Sequence, residues 1–184
     1  MIVDGMGGNE KIMEANKEKI KETLMKWQYG WSVFCGWLPV VLVASIIFWS
    51  SSQPYEKQDI RSNVLSFISA DFVITEFSDV SFEYAGKEVS IKALGTAGFV
   101  EFFVRKGAHF VVFFFLAYLA YRALRIQGVK VSNAILYSVL FTMIYAISDE
   151  IHQSFTENRT PLLNDVVIDS IGGFFGILIR AIKR

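Results

Sequence analysis

The chain has 184 residues, of which 53% are hydrophobic and 15% aromatic, and its mean hydropathy is +0.39. That is more apolar than an ordinary soluble domain and points to a membrane protein. Eighteen basic residues balance eighteen acidic ones, so no global basic field suggests nucleic acid, and the lone Cys35 excludes an internal disulfide framework. There is no internal repeat, Walker loop, dinucleotide-type glycine motif or zinc-spaced Cys/His set.

The first thirty residues are charged. Asn9 to Lys26 carries five lysines with Ile12, Leu24 and Met25 as sparse apolar positions, the pattern of a solvated or membrane-surface helix. Ser32 to Trp49 then runs for eighteen residues without a charge, about the minimum for a spanning helix. Pro39 lies inside it and should kink it. Trp27, Tyr29 and Trp31 before this run, and Trp49 and Tyr55 at its end, fit a pair of interfacial aromatic belts. A charged leader of this length does not read as a cleaved signal peptide.

Residues 50–101 form the one sizeable segment between apolar runs. Ile60 to Ile68 reads as a short amphipathic helix, and Val80–Tyr84 and Glu88–Lys92 alternate around Ala85-Gly86-Lys87 as a hairpin would. The segment is too small for an independent catalytic domain and is expected to cap the bundle. Three further spans follow, at about 102–124, 131–151 and 161–179, the last with Pro161 in a favoured first-turn position. The fold expected is an all-α membrane protein: a four-helix bundle with an extracytoplasmic loop after the first helix, residues 1–30 forming a cytoplasmic helix and 31–184 the membrane domain. With the N-terminus inside, eleven Lys and Arg fall on inner segments and seven on outer ones. The positive-inside rule therefore places both termini in the cytoplasm.

Ionisable groups near or within a bilayer cost several kcal/mol unless paired or wetted, so they read as functional candidates. This topology brings three sets of them to the outer boundary. Arg105, Lys106 and His109 open the second span, and Asp149, Glu150, His152 and Gln153 close the third. Arg159, Asp165 and Asp169 belong to the last loop and the fourth span. Lys106 and His109 are three apart, as are Asp149 and His152, and Asp165 and Asp169 are four apart, so each set shares a helix face. The stripe beyond Asp169 continues through Gly172, Gly173 and Gly176, which marks a face packed closely against another helix. One reading is an inert polar plug of cations and carboxylates. The other is a pocket in which His109 or His152 acts as base or nucleophile, Asp149, Glu150, Asp165 and Asp169 orient it, and Arg105, Lys106, Gln153 and Arg159 bind an anion. The same donors could hold a divalent metal, but their spacing is not diagnostic, and no metal or cofactor is assigned.

Three motifs carry a family likeness. Trp49-Ser50-Ser51-Ser52-Gln53-Pro54, Arg105-Lys106-Gly107-Ala108-His109-Phe110 and Ser148-Asp149-Glu150-Ile151-His152-Gln153-Ser154-Phe155, followed by Arg159, Asp165, Asp169 and Gly172-Gly173, resemble the VanZ-like family over roughly residues 38–179. The resemblance implies a small bacterial four-helix membrane protein of a type linked to low-level teicoplanin resistance. A relation to membrane enzymes acting on phospholipid or polyprenyl-phosphate head groups has been proposed for that family. The partners it implies are a membrane lipid or lipid-linked phosphate and a glycopeptide antibiotic. Two functions stand side by side: an enzyme acting on such a head group at the outer leaflet, and a non-catalytic protein that binds or sequesters a lipid or glycopeptide. A small transporter fits less well, since four helices without an inverted repeat leave little room for alternating access. Oligomeric state is left open.

Overall fold

A computed structural model describes residues 4–156 and 162–183. The charged leader and the first apolar run form one continuous helix, α1 (Asp4–Ser51), which passes through Pro39. Residues 10–31 are exposed on all sides. In its second half Gly36, Val40, Ile47 and Ser51, spaced four, seven and four residues apart, fall on one face and are all buried. The apolar residues on its other faces, such as Val41, Ile46 and Phe48, are exposed, as side chains turned to lipid would be.

Residues 50–101 build a small cap. A 3-10 turn (Tyr55–Gln58) leads into α2 (Arg61–Phe67), and α3 (Ala70–Phe77) follows. Strands β1 (Ser81–Tyr84) and β2 (Lys87–Ser90) then pair antiparallel, Phe82 opposite Val89. The expected hairpin is present, with a two-residue turn in which Ala85 (φ 51°) and Gly86 (φ 77°) both lie in the left-handed region, as a turn matching the strand twist requires. Val73, Val89 and Phe99 are buried together as the core of this cap. Helix α3 was not expected: its eight residues are too few for a helical period to stand out.

Helix α4 (Ile91–Ile126) starts eleven residues before the expected second span. Ser90 caps it by accepting from the Ala93 amide at 3.0 Å. Gly95 (φ 70°, ψ 166°) breaks its first turns with a conformation open to glycine alone. After a tight turn at Gly128, α5 (Val131–Gln153) runs back, and α6 (Leu163–Ile182) completes the bundle. Ala134, Ser138, Thr142, Ala146, Asp149 and Gln153 make the buried stripe of α5. That of α6 is Asp165, Asp169, Gly172, Gly173, Gly176 and Ile177.

The small residues fix how close the helices come. A Cβ on Gly172 would lie 2.3 Å from the Phe110 carbonyl oxygen, and one on Gly176 would lie 2.1 Å from that of Phe114. Helix α6 therefore lies backbone to backbone on α4. Thr142 of α5 presses the same seam, its methyl 2.5 Å from where a Gly173 Cβ would stand. Among the described residues three helices, within Glu10–Ser51, Ile91–Ile126 and Val131–Gln153, are long and apolar enough to cross a membrane. Helix α6 has the length, but Asp165, Asp169 and Arg180 interrupt its apolar run.

Candidate functional site

The α4–α6 seam carries the polar residues inward. Because Gly172 brings the two backbones together near Phe110, His109 and Asp169 meet one turn further along. His109 Nδ1 stands 3.4 Å from Asp169 Oδ1, with the His109 side chain 25% exposed and Asp169 fully buried. Neither Asp169 oxygen reaches hydrogen-bond geometry with any described group. Asp149 comes in from α5: one donor atom each from His109, Asp149 and Asp169 lies within 4.8 Å of the others. Gln153, one turn along α5, donates to Asp149 Oδ2 at 2.8 Å and approaches Ser51 Oγ at 3.4 Å. The next carboxylate, Glu150, is 4% exposed and accepts the Leu162 amide on Oε2 at 2.8 Å. Its Oε1 is buried with no hydrogen-bond partner among the described residues.

Lys106 lies one turn before His109 on the same face. Its Nζ sits 2.5 and 2.7 Å from the two oxygens of Asp165 and 4.9 Å above the Tyr84 ring. Tyr84 also donates its hydroxyl to Asp165. The hairpin thus closes over the site through one phenol. Burial, and then the carboxylate it donates to, pushes the Tyr84 pKa up, so the phenol stays protonated and keeps donating. Nothing in the sequence singles Tyr84 out; it matters only because the hairpin folds against α4.

The remaining candidates divide. Arg105 turns away from Asp165 and Asp169: its Nε stands 3.5 Å from the buried Glu101, and its Nη2 reaches toward Gln58 Oε1 at 3.5 Å. Arg61 approaches the same Glu101 at 3.6 Å and binds Asp59, whose carboxyl this guanidinium holds down at about 2. Glu101 is therefore the anchor of a second polar group under the cap, which its place in an apolar context conceals in the sequence. His152 is turned toward α1, stacking on Phe48 at 4.1 Å with its Nε2 3.5 Å from Ser52 Oγ. Thr156 adds a bond to the Ser51 carbonyl at 3.1 Å, so the serine run at the end of α1 helps to fasten α5 and the turn after it to α1. Arg159 and Pro161 lie outside the described residues.

The structure thus joins His109, Asp149 and Asp169, sets Glu150, Gln153, Lys106 and Asp165 around them, and holds His152 and Arg105 in separate contacts. Two cavities lie away from this cluster. One is an apolar groove between α1 and α5 lined by Trp37, Ala44, Phe48 and Tyr145. The other, at the opposite end of the bundle, is lined by Tyr121, Arg125, Arg180 and Lys183.

No curated protein and no solved structure matches the chain. A family model described as VanZ/LLP1 matches residues 36–184, a span that starts midway along α1 and takes in the cap and every residue of the site. With its long apolar helices, the chain is a membrane protein that belongs to the VanZ/LLP1 family.

Proposed function

We propose that the protein acts on a phosphate-bearing lipid or polyprenyl head group at the outer leaflet, with His109 as the general base or nucleophile. The observation that carries this reading is the buried Asp169 beside a partly exposed imidazole. A carboxylate 3.4 Å from Nδ1 biases the ring's orientation by its charge and leaves Nε2 for the substrate side, an arrangement suited to histidine in proton or phosphoryl transfer. As base, His109 takes the proton of an attacking water or alcohol and returns it to the head-group oxygen as that oxygen's bond to phosphorus breaks. As nucleophile, it forms a phosphohistidine while the head-group alcohol leaves with a proton from water, and a second water then hydrolyses the P–N bond. Lys106 spends two donors on Asp165 and retains a third for a phosphate oxygen. The link of VanZ-type proteins to teicoplanin resistance fits a change in surface lipid or lipid-linked precursor.

Incubating the purified protein with labelled phospholipids and polyprenyl phosphates tests the reading. A product of changed mass is expected, and His109→Gln should cut its rate about a hundredfold or more. A lipid that binds with unchanged mass would replace catalysis with the sequestering function.

The reading also needs four spans with both termini in the cytoplasm and the cap outside. The excess of Lys and Arg on the charged first half of α1, the α4–α5 turn and the end of α6 supports this. Helix α6 spans as the fourth helix because its acids are turned into the α4 seam, away from lipid. A reporter fused after Arg184 should be active only in the cytoplasm; an external reporter would remove the shared outer site.

A further inference from the structure

We infer that His109, Asp149 and Asp169 form a site for one divalent transition-metal ion, Mn²⁺ or Zn²⁺ in type. The inference concerns the pocket proposed for head-group chemistry but rests on its donor geometry alone. Metal–ligand bonds of about 2.1 Å set neighbouring donors about 3 Å apart and opposing donors about 4.2 Å apart. Donors from the three residues already lie within 4.8 Å of one another, so movements of a few tenths of an ångström close the site. His109 and Asp169, at 3.4 Å, are near the spacing of adjacent ligands.

Two further observations point to a cation. Asp169 has no exposed surface, yet among the described residues neither of its oxygens finds a hydrogen-bond partner of good geometry, and neither does the His109 Nδ1 3.4 Å away. Buried carboxylate oxygens are rarely left this way, because desolvation without a partner costs several kcal/mol. Charge tells the same story. Asp149, Glu150, Asp165 and Asp169 are all buried, whereas among the described residues the lysine at the cluster, Lys106, is held on Asp165. A dication between the other carboxylates supplies countercharge where they converge. The donor set narrows its identity: imidazole suits zinc and its neighbours, carboxylates suit manganese and harder ions, and the mixture selects a borderline ion. Gln153, donating to Asp149, fixes that ligand from behind, as supporting hydrogen bonds do in metal sites. Three protein ligands leave positions for water or a phosphate oxygen.

Full-length protein, purified in detergent without a polyhistidine tag and stripped with chelator, should be titrated with Mn²⁺ and followed by electron paramagnetic resonance. One saturable ion per chain is expected, with a nitrogen coupling from a bound imidazole. The chain has only two histidines, so the coupling should persist in His152→Gln and vanish in His109→Gln. Asp149→Asn and Asp169→Asn should each weaken binding tenfold or more while helical circular dichroism and elution volume are unchanged. If those variants do not fold, the comparison of wild type with His152→Gln still decides the matter. No saturable binding at millimolar Mn²⁺, a coupling lost in His152→Gln, or unchanged binding by folded aspartate variants would each overturn the site. Bound Mn²⁺ without lipid turnover would remove the enzymatic reading and leave the metal site standing. Turnover by stripped protein that binds no Mn²⁺ would do the reverse.

Discussion

Gly176→Ala should lower the stability of the purified protein by about 3 kcal/mol or prevent assembly of the bundle, because its new methyl has nowhere to go. The alanine Cβ would sit 2.1 Å from the Phe114 carbonyl oxygen, with Phe114 C and Cα also within 3.2 Å. Backbone atoms cannot rotate aside as a side chain can, so α6 must lift from α4 along its length. Gly172→Ala, 2.3 Å from the Phe110 carbonyl, should behave alike and also separate His109 from Asp169. Gly107→Ala provides the contrast. That glycine lies within α4 with nothing near its Cβ position, so alanine should gain about 0.5–1 kcal/mol from helix propensity. Thermal unfolding of the three variants in one detergent would decide. If Gly176→Ala unfolds like wild type, the α4–α6 seam is not packed as described.

Lys106→Met should destabilise the protein by about 3 kcal/mol, the usual cost of leaving one member of a buried ion pair alone. Lys106 is 19% and Asp165 10% exposed at the side chain, and their contact is bidentate. Among the described residues, removing the ammonium leaves Asp165 with the Tyr84 hydroxyl alone. The double variant Lys106→Met/Asp165→Leu should recover much of the loss, since replacing both members of a buried pair with apolar groups is often neutral. The lysine was expected from sequence to meet an anionic ligand at an outer boundary where cations are otherwise disfavoured. Asp165 and Tyr84 hold it in place, and its third donor remains for such a ligand. If Lys106→Met instead folds as wild type and weakens lipid binding tenfold, the ligand is its main partner and the ion pair incidental.

Some of this protein was written in local order and some was not. The apolar runs, the hairpin around Ala85-Gly86 and the Asp165/Asp169/glycine stripe depend on spacing within one segment, and those are legible one residue at a time. So are the two histidine motifs, whose spacing carries the family resemblance. Helix α3 and the early start of α4 were missed because short elements under a cap owe their stability to Val73, Val89 and Phe99 packing together, a tertiary contact without a sequence period.

The division between the two histidines marks the limit most clearly. Both sit in similar polar motifs, three residues from a charged neighbour on their own helix, and sequence alone left open which would act. Only the packing of α4 on α6, set by Gly172 and Gly176, brings His109 to Asp169, while the packing of α5 on α1 presses His152 against Phe48 and Ser52. Likewise, which cation serves Asp165 depended on the neighbours: Lys106 sits on Asp165 beside the Tyr84 hydroxyl that the hairpin brings in, while Arg105 turns to Glu101, one turn back on α4, and to Gln58. Sequence determined which residues are polar inside an apolar chain and which face of each helix bears them. Tertiary structure decided which of those faces meet, because side-chain partners across helices are fixed by how closely backbones approach, and that distance is a property of the assembled seam.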